Sequence, residues 1–459
     1  MNKTTKYLVI AVIVLCLAYP GCAWLIGLQV QSSLQQREQQ QLDMYPGAIV
    51  LLSRQYHRSV YGASEDLVYG IGASTLRALA PLPAAANLSG MRVSVHRTIH
   101  HGPLPQFRAF APATFSTQIQ LPPDISAKLR TLLGGAPEVR MDSRLGWLGG
   151  VSTLISVANY DTHLPDGTQL GWRGVSATTY VSAGAGSNAM RGGVDDLELK
   201  SAKFQVQMSG LQLRTDLKRA FDTVFTGPFS MSVASVKWQA AAAASASELK
   251  GLSISGTSSA EGDYYRSAVQ FGTDALQTPA FSVTHAAYDV SFEHLYGPTL
   301  AAIMKKARAV SVPVAGAGGS SGPSPAVALG SVQKDFTDLL VHEPVVNISD
   351  IGFSMPEGSL KFSATASVPG IKREELEGQP MQAALMQHLN LVADLRIDTA
   401  LLTRLMAGNA RKDALTGQLD ALEKQGYIKR DGTALTAHLN FGGGKLTVNG
   451  QPFVPGGAH

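Results

Sequence analysis

The chain has 459 residues, with 46 Gly, 16% charged residues and 7% aromatic residues. It is too apolar for a disordered protein and too rich in Gly for a mostly helical one. The net charge of +4 is dispersed, without the basic stripe that a nucleic-acid binder carries. Both cysteines, Cys16 and Cys22, lie in one N-terminal apolar run. That excludes a disulfide framework, a Cys-ligated metal and a thiol nucleophile from everything that follows.

Tyr7 to Leu28 is a run of 22 residues without a charge. As a helix it reaches about 33 Å, against about 30 Å for a bilayer core. Lys3 and Lys6 precede it, and Gln29 to Gln36 is uncharged. The positive-inside rule then places the N-terminus in the cytoplasm and the body across the membrane. Residues 1–28 are expected to be a transmembrane signal anchor. Cleavage at Gly21-Cys22-Ala23 and lipidation of Cys22 stay open as other readings. All three carry the body out of the cytoplasm, and a cysteine-free body suits an oxidising compartment. Residues 29–44 are Gln-rich. Val30, Leu34 and Leu42 are too sparse there for a packed face, which predicts a polar helical spacer.

Residues 45–310 read as a β-rich domain. Val93, Val95 and Ile99 alternate with Arg92, Ser94, His96 and Thr98. After residue 325 the same period recurs. Leu360, Phe362, Ala364, Ala366 and Val368 alternate with polar residues, as do Leu435, Ala437, Leu439 and Phe441. Such runs are half-buried antiparallel strands. Apolar parity switches between Leu199 and Phe204, which calls for a turn or bulge near Lys200. Turn residues stand at Asp166-Gly167, Pro356-Glu357-Gly358, Asp431-Gly432 and Gly442-Gly443-Gly444. Helical periods are predicted at 299–310, 326–341, 379–393, 398–408 and 412–426. Residues 311–325 are a Gly/Ser/Pro linker, and 326–459 form a helix-plus-strand region ending in a β-hairpin. The fold expected is β-rich α+β: an N-terminal transmembrane helix, then a long antiparallel sheet, twisted or curled, with a few covering helices.

Four places resemble the YdgA/YihF-like family of bacterial envelope proteins, which has no assigned activity. They are the anchor with its polar spacer, Tyr56-His57-Arg58-Ser59-Val60-Tyr61, Thr98 to Pro105 with its His100-His101-Gly102-Pro103, and the close from Gly426 to Pro452. Ser59 and Val60 depart from the usual residues of that family. The resemblance implies a single-pass protein of the bacterial inner membrane with a periplasmic body, and it brings no catalytic residues.

The chemical motifs are weak. His96, His100 and His101 are the metal candidates, but His96 and His100 share a strand face about 13 Å apart, too far to bind one metal unless a bulge intervenes. Gly318-Gly319-Ser320-Ser321-Gly322 fits the G-x-S-x-G pattern but lies in a Pro-broken linker rather than on a strand–helix elbow. Gly442-Gly443-Gly444-Lys445 lacks the hydroxyl residue of a phosphate loop, because Leu446 follows. The acidic clusters Asp195-Asp196-Glu198 and Glu374-Glu375-Glu377 read as a strand start and a solvated helix start. No metal, cofactor, catalytic residue or nucleic-acid partner is expected. The partners expected are the inner membrane, through residues 7–28, and a lipid or an envelope protein. The function expected is non-enzymatic: a scaffold or lipid-handling protein in envelope maintenance. Its apolar groove would be lined by Leu360, Phe362, Leu439 and Phe441. The alternative is an envelope hydrolase whose carboxylates meet only in the fold.

Overall fold

The computed structural model describes residues 3–44, 49–72, 75, 90–133, 138–241, 245–309, 334–378, 380–406 and 412–453. Two units are compact by their own contacts. One comprises Met1–Asp195 with Lys306–Ser324, the other Asp196–Lys305 with Pro325–His459. The division at Asp195 falls inside the stretch read above as one β-rich domain. The linker 311–325, with its G-x-S-x-G match, lies outside the described residues.

In the first unit, helix α1 (Lys3–Met44) precedes strands β1 (Ile49–Arg58), β2 (Gly62–Ile71), β3 (Arg92–His101), β4 (Ala113–Gln120), β5 (Val139–Leu145) and β6 (Val151–Val157). Helix α2 (Pro123–Leu133) joins β4 to β5. A hairpin of β7 (Tyr160–His163) and β8 (Gln169–Arg173) follows, then β9 (Ser176–Val181) and β10 (Ser187–Lys200). Strands β1 to β6 pair in sequence, β6 then pairs with β9, and β9 with β10, all antiparallel.

The transmembrane expectation is overturned here. Among the described residues no helix is long and apolar enough to cross a membrane. The second half of the apolar run instead belongs to a helix packed on this sheet. Ala23, Val30 and Leu34 are buried, and Ile26 lies against Val30, Leu34, Ile99, Phe115 and Leu145. Their spacing of three, four and four residues makes one stripe of an α-helix. The supposed spacer, helical as expected, therefore carries a packed face: Val30 and Leu34 suffice because sheet side chains fill the space between them.

Charge also ties α1 to the sheet. Glu65 of β2 is fully buried and faces Arg54 and Arg97, with Arg97 Nη1 3.0 Å from its Oε2. Glu38 of α1 lies 3.5 Å from Arg54 and accepts a hydrogen bond from the Tyr69 hydroxyl. At the other end of the contact, the ring of His101 sits under Gly27. A Cβ at that glycine would lie 2.5 Å from the ring, so no larger residue fits without a shift. The His101 Nδ1–H donates to the Ala23 carbonyl at 3.0 Å, while Nε2 is buried without a partner among the described residues.

The second unit is a longer sheet. Its strands are β11 (Phe204–Phe221), β12 (Val224–Ala240), β13 (Ser247–Glu261), β14 (Tyr264–Gln277), β15 (Ser282–Tyr296), β16 (Val345–Met355), β17 (Gly358–Ser367), β18 (Asn390–Asp398), β19 (Lys429–Asp431), β20 (Ala434–Gly442), β21 (Lys445–Val448) and β22 (Gln451–Pro452). From β11 to β18 each strand pairs with the next, antiparallel; β18 then pairs with β20, and β20 with β21. The parity switch near Lys200 is the turn between β10 and β11, closed by Ser201 N–H to the Phe204 carbonyl. Gly443 and Gly444 both take positive φ between β20 and β21. A two-residue hairpin turn of that hand needs this, and glycine supplies it without a Cβ clash.

Helices α3 (Gly297–Ala309), α4 (Arg373–Gly378), α5 (Met381–His388), α6 (Thr399–Met406) and α7 (Lys412–Lys424) belong to this unit, and residues 334–340, the described part of the helix expected over 326–341, are helical too. The helix expected over 379–393 stops at His388, and Asn390 to Ala393 opens β18 instead. That stretch pairs with β17 on one side and β20 on the other, and a central strand position overrides the helical period. Leu401 of α6 closes a core with Ile397 and Leu435, edged by Phe353 and Leu360. A second cluster, Val368, Ile371, Leu376 and Ala384, is built around α4 and α5.

Two tests of the α1 junction follow. Glu65→Ala leaves Arg97 without its carboxylate and Arg54 with Glu38 alone, beside an emptied buried site, and should cost about 3–5 kcal/mol. Glu293→Ala breaks an exposed pair with Arg266 and should cost no more than about 1 kcal/mol. Urea unfolding of each variant measures the difference. Burial holds the His101 imidazole below its ordinary value of 6.5, outweighing the hydrogen bond it donates to the Ala23 carbonyl. Its contribution is complete above pH 6.5 and is lost as pH falls below it, because the unfolded chain takes up the proton first. Denaturation midpoints between pH 7 and pH 5, compared with His101→Gln, should show the wild type losing more stability on acidification.

Candidate functional site

The second unit carries a continuous apolar row across nine strands. In register from β11 to β20 it runs Leu213, Met231, Ile254, Phe271, Tyr288, Ile351, Phe362, Leu395 and Ala437. Directly opposed residues of antiparallel strands point to the same face, so these side chains form one stripe. Eight strand spacings make it about 38 Å long. None of the nine is buried, and Phe271, Tyr288 and Leu395 are 39%, 46% and 36% exposed.

A second row lies alongside: Phe229, Gly256, Val269, Val290, Ile348, Ala364, Ala393, Leu439 and Val448. Gly256 is the low point of it. A Cβ there would stand 2.3 Å from the Phe229 ring, so the aromatic ring lies across the glycine of the neighbouring strand. A third row, Phe292, Val346, Ala366, Leu391, Phe441 and Leu446, borders the second. A β-bulge keeps the face continuous through β16. Ile348 and Ile351 oppose Ala364 and Phe362, so three steps on β16 match two on β17, and both isoleucines stay on the apolar side.

All four residues expected to line a groove lie on this face, in different surroundings. Phe362 belongs to the open row. Leu439 is half-buried in the second row, and Phe441 is buried in the third. Leu360 lies at the end that α6 covers, with Ile397, Leu401 and Leu435. Of the other eight residues of the open row, Ala437 was read in an alternating run, while Leu213, Met231, Ile254, Phe271, Tyr288, Ile351 and Leu395 were not singled out from sequence. Each sits in an alternating run, but only register shows that the runs align.

The alternate residues of these strands are polar, and a recess of about 510 Å³ opens between β16 and β20. Asp350, Lys361, Ser363, Asp394, Arg396 and His438 line it, together with Phe362, Leu395 and Ala437 of the open row. His438 Nδ1 is 2.7 Å from Asp394 Oδ1, and Arg396 donates to Asp431 at 2.6 Å. Register places Ser363 beside Asp394 and His438 beyond it, so the aspartate stands between the hydroxyl and the imidazole. A serine nucleophile needs the histidine in that middle position. Both members of the Asp394–His438 pair are half-exposed or more, in the solvated setting of an ordinary surface pair.

The three histidines of β3 diverge. His96 Nδ1 lies 2.7 Å from Asp66, His100 contacts Gln106, and His101 is buried under α1. Among the described residues no three metal-ligating side chains come together.

Together these features define a class: an antiparallel-sheet protein whose long sheet leaves one apolar face open and one polar. Over residues 1–455 the chain matches the family described as bacterial protein of unknown function (DUF945), and it belongs to that family. No curated protein and no solved structure matches it.

The faces can be told apart by stability. Phe441→Ala, in a buried position, should cost about 3–5 kcal/mol. Phe271→Ala, on the open row, should cost about 1 kcal/mol or less, since its ring is already partly in water. Chemical denaturation of both variants measures this.

Proposed function

We propose that this protein holds lipid, laying acyl chains along the open row of the second unit, and that it serves the bacterial cell envelope without catalysing a reaction. The observation that carries this reading is the row itself. Nine side chains without a charge run across the strands, and none is withdrawn from water. Exposed apolar patches beyond a few hundred Å² mark binding surfaces on proteins of this kind. A stripe of about 38 Å exceeds the about 30 Å hydrocarbon core of a bilayer, which is long enough for an extended acyl chain. Leu360 and its neighbours under α6 close one side of the face, and the polar opposite side keeps the strand pair in water. The envelope assignment draws on the likeness to YdgA/YihF-like proteins in Tyr56 to Tyr61, Thr98 to Pro105 and Gly426 to Pro452, and on the cysteine-free body.

The test is photo-crosslinking in living cells. A photoreactive amino acid is placed at Phe271, Tyr288 or Leu395 on the apolar face, and at Lys361 or Asn440 on the polar face. Lipid adducts are expected from the first three positions and not from the last two. An absence of adducts at every position, with native mass spectrometry showing only the mass of the chain, would reject lipid binding on this face.

A further inference from the structure

A separate surface in the first unit has the composition of a membrane-contact site. The turn after β1 (59–61), the loop after β3 (102–112) and the turn after β5 (146–150) all lie at the same end of adjacent antiparallel strands. Helix α1 passes over that end at Tyr19 to Leu25. The Tyr19 hydroxyl donates to the Leu104 carbonyl, and its ring stacks on those of Tyr61 and Phe107, at 6.0 and 5.8 Å between centroids. Phe110 lies 5.4 Å from Trp147. These contacts join the loops into one rim.

Large apolar side chains on this rim point into water. Phe107 is 80% exposed, Phe110 67% and Leu148 94%, beside Trp24, Tyr61 and Trp147. Phe107 and Gln106 before it take φ of 57° and 52°. That region is costly for a residue with a Cβ, and strain of this kind collects where a loop is held for function. Nothing in the fold needs an aromatic ring presented there, because the core below is filled by Ile99, Phe115 and Leu145.

The charges are of one sign. Residues 18–28, 56–62, 100–112 and 144–151 contain Arg58, Arg108 and Arg144 and not one Asp or Glu. In the rim lies an open recess of about 490 Å³, lined by His57, Arg58, Ser59, Tyr61 and His100 among others, again without a carboxylate. The Arg58 guanidinium is held 5.1 Å over the Trp24 ring, and its Nη1 is buried without a hydrogen-bond partner among the described residues. Guanidinium groups are well suited to phosphate oxygens, and Arg58 lines this recess. Tryptophan and tyrosine at a water–hydrocarbon boundary, with arginines and no acids, are the side chains that suit an anionic phospholipid surface.

We infer that this rim docks the protein on an anionic phospholipid surface, Phe107, Phe110 and Leu148 entering the interfacial layer and Arg58 taking a lipid phosphate in the recess. The contact lies flat on the bilayer and is distinct from the acyl row of the second unit. It does not depend on that proposal.

The experiment uses the full chain and vesicles of phosphatidylcholine with or without phosphatidylglycerol. Flotation measures affinity for Phe107→Ser, for Leu148→Ser and for Arg58→Gln. Each apolar substitution should weaken binding about tenfold. Arg58→Gln should weaken it about fivefold, and only when phosphatidylglycerol is present. Depth in the bilayer is read separately. An environment-sensitive dye is attached at Leu148→Cys or, as a control in β7, beyond the end of β6 that lies away from the rim, at Thr162→Cys, with Cys16 and Cys22 replaced by Ser. Brominated lipid should quench the dye at position 148 and leave the control unquenched. A dye at 148 that stays in water while the chain floats would overturn the rim, as would binding unchanged in all three variants or binding reversed by inorganic phosphate alone. Crosslinking from Phe271 should be the same in these variants, so failure of the rim and failure of the acyl row remain distinguishable.

Discussion

A strand whose side chains alternate apolar and polar creates a face that water disfavours, and a single sheet has no second layer of its own to hide it. This constraint organises both units. In the first, α1 supplies the missing layer over β1 to β5 with Val30 and Leu34, and Ile99, Phe115 and Leu145 meet it from below. In the second, α6 supplies it only at one end, around Leu401. The remaining rows have partial cover, and the row from Leu213 to Ala437 stays in contact with solvent along its whole length.

The cost of that exposure is moderated by the sheet itself. Twelve strands of the second unit hold their register through backbone pairs, and the glycines and bulges adjust the surface without interrupting it. Gly256 lets Phe229 lie across the neighbouring strand, and the bulge in β16 returns Ile351 to the side of Ile348. The opposite face carries Arg214, Ser230, Ser255, Gln270, Asp289 and Asp350 in a matching row. The two faces of the sheet therefore differ along this row, one polar and one apolar.

The α1 junction shows a different balance. Its apolar stripe is short, and the buried Glu65 between Arg54 and Arg97 adds specificity rather than a large net gain, since desolvation offsets most of the attraction. Glu38 and Tyr69 extend the network from helix to sheet, so the helix is set in register as well as held. Gly27 over the His101 ring sets the closest approach. The stretches Tyr56 to Tyr61 and Thr98 to Pro105 meet at this junction: Arg58 lies over Trp24 of α1, and His101 bonds to Ala23.

Local chemistry was legible from the residues alone. Period-two runs located β3, β17 and β20; glycine pairs located the hairpin before Lys445; the helical periods located α3, α6 and α7. The apolar faces of Leu360, Phe362, Leu439 and Phe441 were also legible, because alternation along one strand needs no partner to be read. What an apolar run is buried against was not. Tyr7 to Leu28 is uncharged and reads as a span, but no helix among the described residues is long and apolar enough to cross a membrane, and Ala23, Val30 and Leu34 are buried against the sheet. Asn390 to Ala393 continues a helical period until two neighbouring strands claim its backbone. The nine-strand row and the rim around Phe107 are decided by register and by which turns share an end. Those are relations between residues far apart in the chain, and no local periodicity encodes them.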